Sequence, residues 1–275
     1  MIRIQNLQFS YGQNTVLKNI SMSLENGHIY GLLGENGVGK TTLLTLLAGL
    51  KKPEQGSISV DGERPFDRHP SCLENQYFLP DEVMPLNMSA KAFAVAAGKF
   101  WPRFSMETFL SAMMEFENAP EMKMNQMSAG QLKKTYVSFA LATGVRNLYM
   151  DEPTNGLDIP SKAQFRKAVT RYTREDAVIV ISTHQVRDLE NLIDPIIILD
   201  RQDVLLNASL ERISEKLFFD YSTTLHPEAL YTEQLPGGFI QVYPNTTGEE
   251  TKVNIEALFN AVRNHKDTIK QLYHE

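Results

Sequence analysis

The chain has 275 residues, of which 42% are hydrophobic and 22% are charged, and this is enough for one large α/β domain with a small appendage. A formal charge of -6 and a sequence pI near 5.6 argue against a nucleic-acid-binding protein, because such proteins usually carry a basic face. The single cysteine, Cys72, excludes an internal disulfide, so nothing indicates an oxidising compartment.

The sequence shows neither a signal peptide nor a membrane-spanning segment. Residues 1–6 lack the apolar core of a signal peptide. No apolar run approaches the roughly 20 residues that span a bilayer, and the longest, residues 43–50, is interrupted by Thr45. If the protein works at a membrane, we expect a partner to bring it there.

The first eighty residues alternate short strands with one helix. Apolar periodicity and turn residues predict strands over 2–9, 20–24, 28–33, 57–60 and 76–79, and a helix over 41–50.

A glycine-rich segment, residues 34–41, joins the third strand to this helix and matches the pattern G-x-x-x-x-G-K-[ST] at every required position. Its glycines let backbone N–H groups point at phosphate oxygens, and the helix presents its positive end to the same anion. Lys40 is expected to reach the β- and γ-phosphates of ATP, and the Thr41 hydroxyl to bind Mg²⁺. A chance glycine-rich turn is the alternative, but it would not explain the flanking strand and helix. The candidate nucleotide-binding residues of this segment are Gly34, Glu35, Asn36, Gly37, Val38, Gly39, Lys40, Thr41 and Thr42.

A helical insert is predicted over about residues 87–146, where Ala and Met are dense and strand signals disappear. Within it, Leu110, Met113, Met114 and Glu117 keep helical spacing, and a further helix is predicted over 132–143.

Strands and helices alternate again after the insert. Strands are predicted over 147–150, 177–182 and 196–200, and a helix over 160–172. This alternation is typical of a mostly parallel sheet covered on both faces.

The strand at 147–150 ends in two acids, Asp151 and Glu152. Beside a phosphate loop, Asp151 is expected to hold Mg²⁺, and Glu152 to polarise an attacking water as general base. Alone, such a pair more often caps a strand at the surface; the upstream loop favours the catalytic interpretation.

Four further segments resemble the ABC ATPases. Residues 127–131, MSAGQ, resemble the family signature LSGGQ and open the helix that precedes Asp151. Residues 153–158 are similar to the stretch between the catalytic acid and the D-loop, and residues 182–184 to the switch histidine, here His184. Tyr11 matches the aromatic on which adenine stacks, with a core tyrosine as the alternative. The resemblance covers about residues 1–215.

The resemblance implies a catalytic set of Glu152, His184 and Lys40, and a site shared between two chains. In that family ATP lies between the phosphate loop of one subunit and the signature of the other. The chain has one of each, so Ser128, Gly130 and Gln131 are expected to act in trans within a head-to-tail dimer, with a homodimer favoured.

One position departs from the family pattern. Where many members have a glutamine that senses Mg²⁺, this chain has Asp81. We expect Asp81 to bind Mg²⁺ through its carboxylate, with altered coupling to the membrane partner. The alternative is that this loop simply contacts its partner.

The remaining residues, 216–275, predict a small accessory domain. A hairpin is expected over 231–243, and a helix with Ile255, Leu258 and Val262 on one stripe and Asn254 as its cap. The expected fold is therefore α/β, a P-loop NTPase of ABC type: a mostly parallel sheet with an antiparallel β subdomain, a helical insert and a small α+β C-terminal tail.

These features together predict an ATPase that energises a separate integral membrane permease, in the direction of export. It would bind ATP and Mg²⁺, would not bind nucleic acid, and would sit in the cytoplasm on the inner face of the membrane through its permease. Two alternatives stay open: a soluble ABC ATPase acting on ribosomes or DNA, and an ATP-binding switch with weak hydrolysis. Acidic charge and the lack of a fused second ATP domain disfavour the first; Glu152 and His184 disfavour the second.

Overall fold

The computed structural model of the chain describes residues 1–273, so the last two positions of the predicted accessory domain lie outside the described residues. The strands are β1 (Ile2–Tyr11), β2 (Asn14–Leu24), β3 (His28–Leu33), β4 (Gln55–Val60), β5 (Gln76–Leu79), β6 (Asn147–Asp151), β7 (Val178–Thr183), β8 (Ile196–Asp200), β9 (Asp203–Ala208), β10 (Leu217–Ser222), β11 (Tyr231–Leu235) and β12 (Gly238–Pro244). The helices are α1 (Lys40–Leu47), α2 (Pro70–Leu73), α3 (Ala90–Ala97), α4 (Met106–Glu115), α5 (Ala129–Ala142), α6 (Ile159–Tyr172), α7 (Leu210–Lys216), α8 (Ile255–Asn264) and α9 (Lys266–Tyr273).

A six-stranded sheet with the order β5-β6-β7-β3-β8-β9 forms the centre of the fold. Neighbouring strands from β5 to β8 pair in parallel, and β9 pairs antiparallel with β8 at the edge. Strands β6, β7 and β8 are buried along their whole length, which explains their continuous apolar runs. The carboxyl ends of β3, β6 and β7 therefore meet at one edge, where open α/β sheets bind ligands.

Two hydrophobic layers cover the sheet. On one face, α1 packs with a three-stranded antiparallel sheet of order β2-β1-β4. On the other, α5 and α6 share a core with the C-terminal segment. These layers and the mixed sheet confirm the predicted α/β fold with its antiparallel subdomain.

Helices α3, α4 and α5 form the predicted insert around their own apolar cluster, which includes Phe109, Met113 and Phe139. Serine side chains cap α3 and α4 at their N-termini, which starts each helix at a defined residue. The prediction was wrong at Glu117, which lies beyond the end of α4 with a φ of 56°.

The C-terminal segment contains a second antiparallel sheet, of order β10-β12-β11, followed by α8 and α9. The hairpin is formed by β11 and β12, and the Asn254 side chain caps α8 by accepting from the Ala257 N–H at 2.9 Å. Leu258 and Val262 enter the same apolar core as the parallel sheet. The predicted domain boundary at residue 215 stays a prediction.

Several element boundaries differ from the sequence prediction. Helix α1 ends before Gly49, which has a φ of 68° and lies close to the Pro65 carbonyl. Strand β2 begins at Asn14 rather than at the predicted Ile20. The edge strand β9 was not predicted, because the turn before it uses Arg201 and Gln202 at positive φ, and neither residue type signals a turn. The first elements after it, α7 and β10, were missed as well.

Among the helices of residues 1–273, none has both the length and the apolar character that crossing a bilayer requires.

Candidate functional site

An open cavity of about 630 Å³ lies at the carboxyl edge of the sheet, bounded by the phosphate loop, the loop after β5 and the end of β6. Of the predicted site residues, the cavity is lined by Tyr11, Asn36, Gly37, Gly39, Lys40, Thr41, Thr42, Asp81, Asp151 and Glu152. Gly34, Glu35 and Val38 belong to the same loop without lining the cavity, and Ser128, Gly130, Gln131 and His184 do not line it.

The phosphate loop wraps around the amine of Lys40. Lys40 is 6% exposed, and its Nζ donates to the carbonyl oxygens of Gly34 at 2.8 Å and Glu35 at 3.1 Å. Gly39 precedes α1 with a φ of 115°, where an added Cβ would lie 2.8 Å from a methyl group of Val16. A side chain at this position would therefore meet both backbone strain and a steric clash.

The first turn of α1 has no side-chain cap among the described residues. Its backbone N–H groups therefore keep their capacity for an anion in the cavity, and the helix dipole favours negative charge there. The local conformation fits a phosphate group.

Burial lowers the pKa of the Lys40 ammonium, while the nearby carboxylates of Glu152 and Asp151 oppose that decrease. The Nζ lies 3.7 Å from Oε1 of Glu152. Because the ammonium is dehydrated and held mainly by carbonyl oxygens, phosphate oxygens would be strong replacement acceptors.

Thr41 and Asp151 are in direct contact across the cavity floor. The Thr41 hydroxyl donates to Oδ2 of Asp151 at 2.6 Å, and the Ser182 hydroxyl donates to the other oxygen of the same carboxylate. Ser182 pairs with Asp151 in the register of β6 and β7. Ser182 was not among the predicted site residues, although the parallel pairing of two apolar strands was a usable signal.

The Thr41 hydroxyl and the Asp151 carboxylate supply some of the ligands that a magnesium ion needs. Hydroxyl and carboxylate oxygens are the ligands that Mg²⁺ prefers, and it usually keeps several waters or phosphate oxygens besides. Within residues 1–273, no group of three or more His, Cys, Asp or Glu side chains is arranged to hold a metal. The donor set of Thr41 and Asp151 therefore suits a metal that arrives with a phosphate ligand.

Glu152 takes a left-handed backbone conformation, with a φ of 44°. Its N–H donates to the carbonyl and the hydroxyl of Ser182, both at 3.1 Å, which holds this turn in place. The side chain meets His184, whose Nδ1 lies 2.9 Å from Oε1 of Glu152. The structure thus brings together Glu152 and His184, two members of the predicted catalytic set, beside the amine of the third, Lys40.

The Asp81 carboxylate is bound by protein groups. Nζ of Lys133, on α5, donates to Oδ1 at 3.0 Å, and the Asn155 amide donates to both oxygens at 3.3 Å. Lys133 is almost buried, and it also donates to the Glu152 carbonyl at 3.5 Å. The predicted role of Asp81 as a metal ligand stays a prediction, and these partners would compete with it.

The signature residues form a capping box at the start of α5. The Ser128 hydroxyl accepts from the Gln131 N–H at 3.2 Å, and Oε1 of Gln131 accepts from the Ser128 N–H at 2.9 Å. An added Cβ at Gly130 would lie 3.7 Å from the Gly156 carbonyl, in ordinary contact. None of these predicted residues lines the cavity of its own chain.

Tyr11 lies at the mouth of the cavity and is 49% exposed, which contradicts the core-tyrosine alternative. Its ring meets Phe9 edge-on at 5.0 Å, and Nζ of Lys51 lies 4.9 Å from its centroid. The exposed ring offers a stacking surface for a purine.

Known proteins are similar to this chain in sequence. Residues 17–155, about half of the chain, match the family model described as ABC transporter. The lantibiotic transport ATP-binding protein SrtF of Streptococcus pyogenes is 30% identical over 200 residues, which is 70% of this chain and 84% of that protein. The ABC transporter ATP-binding protein NatA of Bacillus subtilis is 30% identical over 209 residues, which is 72% of this chain and 84% of that protein.

Solved structures share the fold. A structure described as the ATP binding subunit of an ABC transporter has a TM-score of 0.70 and 22% identity, covering 78% of this chain and 91% of that one. The ATP-binding cassette MJ0796, described as a dimeric post-hydrolysis state bound to ADP and Pi, has a TM-score of 0.67 and 21% identity, covering 76% of this chain and 98% of that one.

Proposed function

Because this chain belongs to the ABC transporter family, as one of its ATP-hydrolysing ATP-binding subunits, we propose that it energises a separate membrane permease, in the direction of export, through ATP-driven closure of a dimer. The observation that carries the proposal is the convergence of Lys40, Asp151 and Glu152 on one cavity beneath an uncapped helix N-terminus. Phosphoryl transfer to water needs an amine that binds the phosphate, an acid that binds the metal and an acid that activates the water.

In this proposal the triphosphate of ATP lies along the phosphate loop, and the adenine stacks on Tyr11. Thr41 and Asp151 would hold Mg²⁺, which would neutralise phosphate charge when bound. Lys40 exchanges its carbonyl acceptors for phosphate oxygens. No larger movement of Lys40 is needed, since the amine already lies between the loop and Glu152.

Glu152 acts as general base in this scheme. Its carboxylate accepts a proton from the attacking water, while Lys40 stabilises the charge that develops on the transferred group. His184 holds the carboxylate in place by the contact at 2.9 Å. The Glu152 carboxylate reaches the phosphate loop, since its Oε1 lies 3.7 Å from Nζ of Lys40.

The second subunit is proposed because the signature of this chain lies outside its own cavity. Ser128, Gly130 and Gln131 present a helix N-terminus that a phosphate from another chain would complement. We propose a head-to-tail homodimer in which these residues close the cavity of the partner.

A permease surface is proposed at a separate groove of about 500 Å³ between the sheet domain and the insert. Its apolar lining includes Leu50, Phe78 and Phe100, and Phe100 is 74% exposed. Exposed apolar surface of this kind marks interaction sites. The groove is lined by β5, whose end leads to Asp81, so a permease bound there would contact the strand before the nucleotide cavity.

Under this proposal the chain is located in the cytoplasm, on the inner face of the membrane, through its permease. Residues 1–215 form the ATP-binding domain, and residues 216–275 an accessory domain.

Phosphate release from Mg-ATP tests the hydrolysis step. The wild-type protein should hydrolyse ATP, and Glu152→Gln should release phosphate roughly 100- to 10,000-fold more slowly while it still binds ATP. Glu228→Gln, an exposed acid in the C-terminal segment, is the matched control and should keep wild-type activity. Equal and negligible rates in wild type and Glu152→Gln would instead support an ATP-binding switch.

A photo-crosslinker tests the permease surface. Placed at Phe100, it should capture an integral membrane protein in intact membranes. Placed at Met114, which is 76% exposed elsewhere on the insert, it should not. Crosslinks from Phe100 to ribosomal components would contradict the proposed permease partner and favour a soluble ABC ATPase that acts on ribosomes.

A further inference from the structure

Gln185, the residue after His184, connects the histidine to a lysine of α6. Nε2 of its amide lies 3.3 Å from Nε2 of His184, and its Oε1 accepts from Nζ of Lys162 at 3.1 Å. On the other side of the ring, Nδ1 of His184 lies 2.9 Å from Oε1 of Glu152. The imidazole is therefore bound at both nitrogens.

Lys162 is itself fixed in position. Its Nζ lies 2.6 Å from Oδ2 of Asp188, and the two side chains are only 18% and 17% exposed. A half-buried ion pair of this kind holds its ammonium group more firmly than a surface pair does.

The chemistry of these groups determines the position of the imidazole proton. A lysine ammonium only donates hydrogen bonds, so the amide oxygen of Gln185 must face Lys162. The amide NH₂ then faces His184, and it also only donates, so Nε2 of His184 must be the acceptor. The ring proton is thus on Nδ1, where it donates to the Glu152 carboxylate.

We infer that Gln185, oriented by Lys162, is a positioning residue that fixes His184 in its neutral Nδ1–H tautomer. The Nδ1–H donates to Glu152, and the Nε2 lone pair stays bound to the Gln185 amide. An imidazolium would place a second N–H against the amide NH₂, with no acceptor there. The groups that face the ring are Glu152 on one side and Gln185 on the other, with Lys40 next to Glu152 and Lys162 behind Gln185.

The consequence for catalysis rests on the proposed function. Glu152 receives a hydrogen bond of fixed direction from the ring, which holds its carboxylate in one orientation towards an attacking water. If the Gln185 amide turned over, its oxygen would face the ring and favour a proton on Nε2. The Nδ1 atom would then lose its proton, and Glu152 would lose the hydrogen bond from the ring.

Long-range proton–nitrogen correlation NMR of the nucleotide-free full chain, with isotope-labelled histidine, reads the tautomer directly. The chain has six histidines, so the spectrum of His184→Gln assigns the signal. The measurement is made about one unit above the ordinary histidine pKa of about 6.5, where a free ring is neutral. Wild type should show Nδ1 protonated and Nε2 unprotonated.

The variants should move that signal in different directions. Lys162→Met should populate the Nε2–H form, and Gln185→Glu, which offers only acceptors, should protonate both nitrogens. Lys162→Arg keeps a donor and should keep the wild-type tautomer. An Nε2–H ring in wild type, or identical spectra in wild type, Lys162→Met and Gln185→Glu, would overturn the inference.

Phosphate release separates this inference from the proposed function. Lys162→Met and Gln185→Glu should lower kcat by roughly tenfold or more with KM nearly unchanged, because only the orientation of the base is affected. A shifted tautomer with wild-type kcat would remove the positioning role. A wild type that shows the Nδ1–H signal but releases no phosphate would instead remove the proposed function.

Discussion

The guanidinium group of Arg263, on α8, lies 2.8 Å from a carboxylate oxygen of Glu35 in the phosphate loop. The same helix reaches the segment after His184, where Nε of Arg187 lies 2.6 Å from Oε2 of Glu256. The C-terminal segment therefore contacts both the phosphate loop and the segment that follows His184.

Reversing the charge of Arg263 should weaken ATP binding. Arg263→Glu places a second carboxylate beside Glu35, near the triphosphate, and removes a cation from that area. Both side chains are partly exposed, so the expected loss is about 1 kcal/mol, or about fivefold in Kd. Nucleotide titration at low and high salt measures it, and the loss should shrink at high salt.

Arg3→Glu, an exposed reversal on β1, is the matched control for Arg263→Glu. Glu35→Arg combined with Arg263→Glu should restore most of the affinity. If Arg263→Glu and Arg3→Glu weaken binding equally, the effect comes from net charge and not from this ion pair.

The left-handed backbone at Glu152 predicts an unusual ranking of variants. Glu152→Gly and Glu152→Ala both remove the carboxylate, so both should be inactive. Glycine tolerates a φ of 44° better than alanine does. The free energy of unfolding of Glu152→Gly should therefore exceed that of Glu152→Ala by about 0.5–1 kcal/mol. Urea denaturation measures the difference.

The same pair of substitutions at Glu107, in the first turn of α4, provides the control. There alanine should be the more stable replacement, since a helix favours alanine over glycine. An alanine variant at Glu152 as stable as the glycine variant would argue against strain at this position.

Two substitutions at Ser128 separate its cap from its proposed anion site. Ser128→Ala should lower the free energy of unfolding by about 1 kcal/mol, because α5 loses its N-cap. Ser128→Asp keeps a cap but places a carboxylate where the partner's phosphate is proposed to bind. It should retain wild-type stability and lose ATP-dependent dimerisation and hydrolysis.

Thermal unfolding and size-exclusion chromatography with ATP check both Ser128 variants. A dimerising, active Ser128→Asp would mean that no phosphate approaches this helix end.

The Asp81–Lys133 ion pair should respond unequally to loss of either partner. Lys133 is 7% exposed and Asp81 is 37% exposed. Asp81→Asn leaves a buried ammonium without its counter-ion and should cost about 2 kcal/mol, whereas Lys133→Met leaves a solvated carboxylate and should cost less.

The double variant should recover much of the loss of Asp81→Asn, and urea unfolding of all three variants measures these values. A larger cost for Lys133→Met than for Asp81→Asn would contradict the burial argument.

The sequence was most informative at strand ends. Asp151 follows an apolar run, and residues 34–41 lie between a strand and a helix, so parallel pairing was enough to predict that they meet. Lys133, Gln185 and Arg263 gave no such signal. Their roles depend on which helix packs against which loop, and single-residue patterns do not encode that packing.

The position of β3 has a consequence for biosynthesis. This strand, which leads into the phosphate loop, lies between β7 and β8, whose paired residues come about 150 and about 165 positions later in the chain. Pairing over such a separation requires closing a long stretch of chain, and Arg263 is added later still. A nascent chain therefore exposes its phosphate loop early, but β3 gains both of its neighbours in the sheet only after Asp200 has been added.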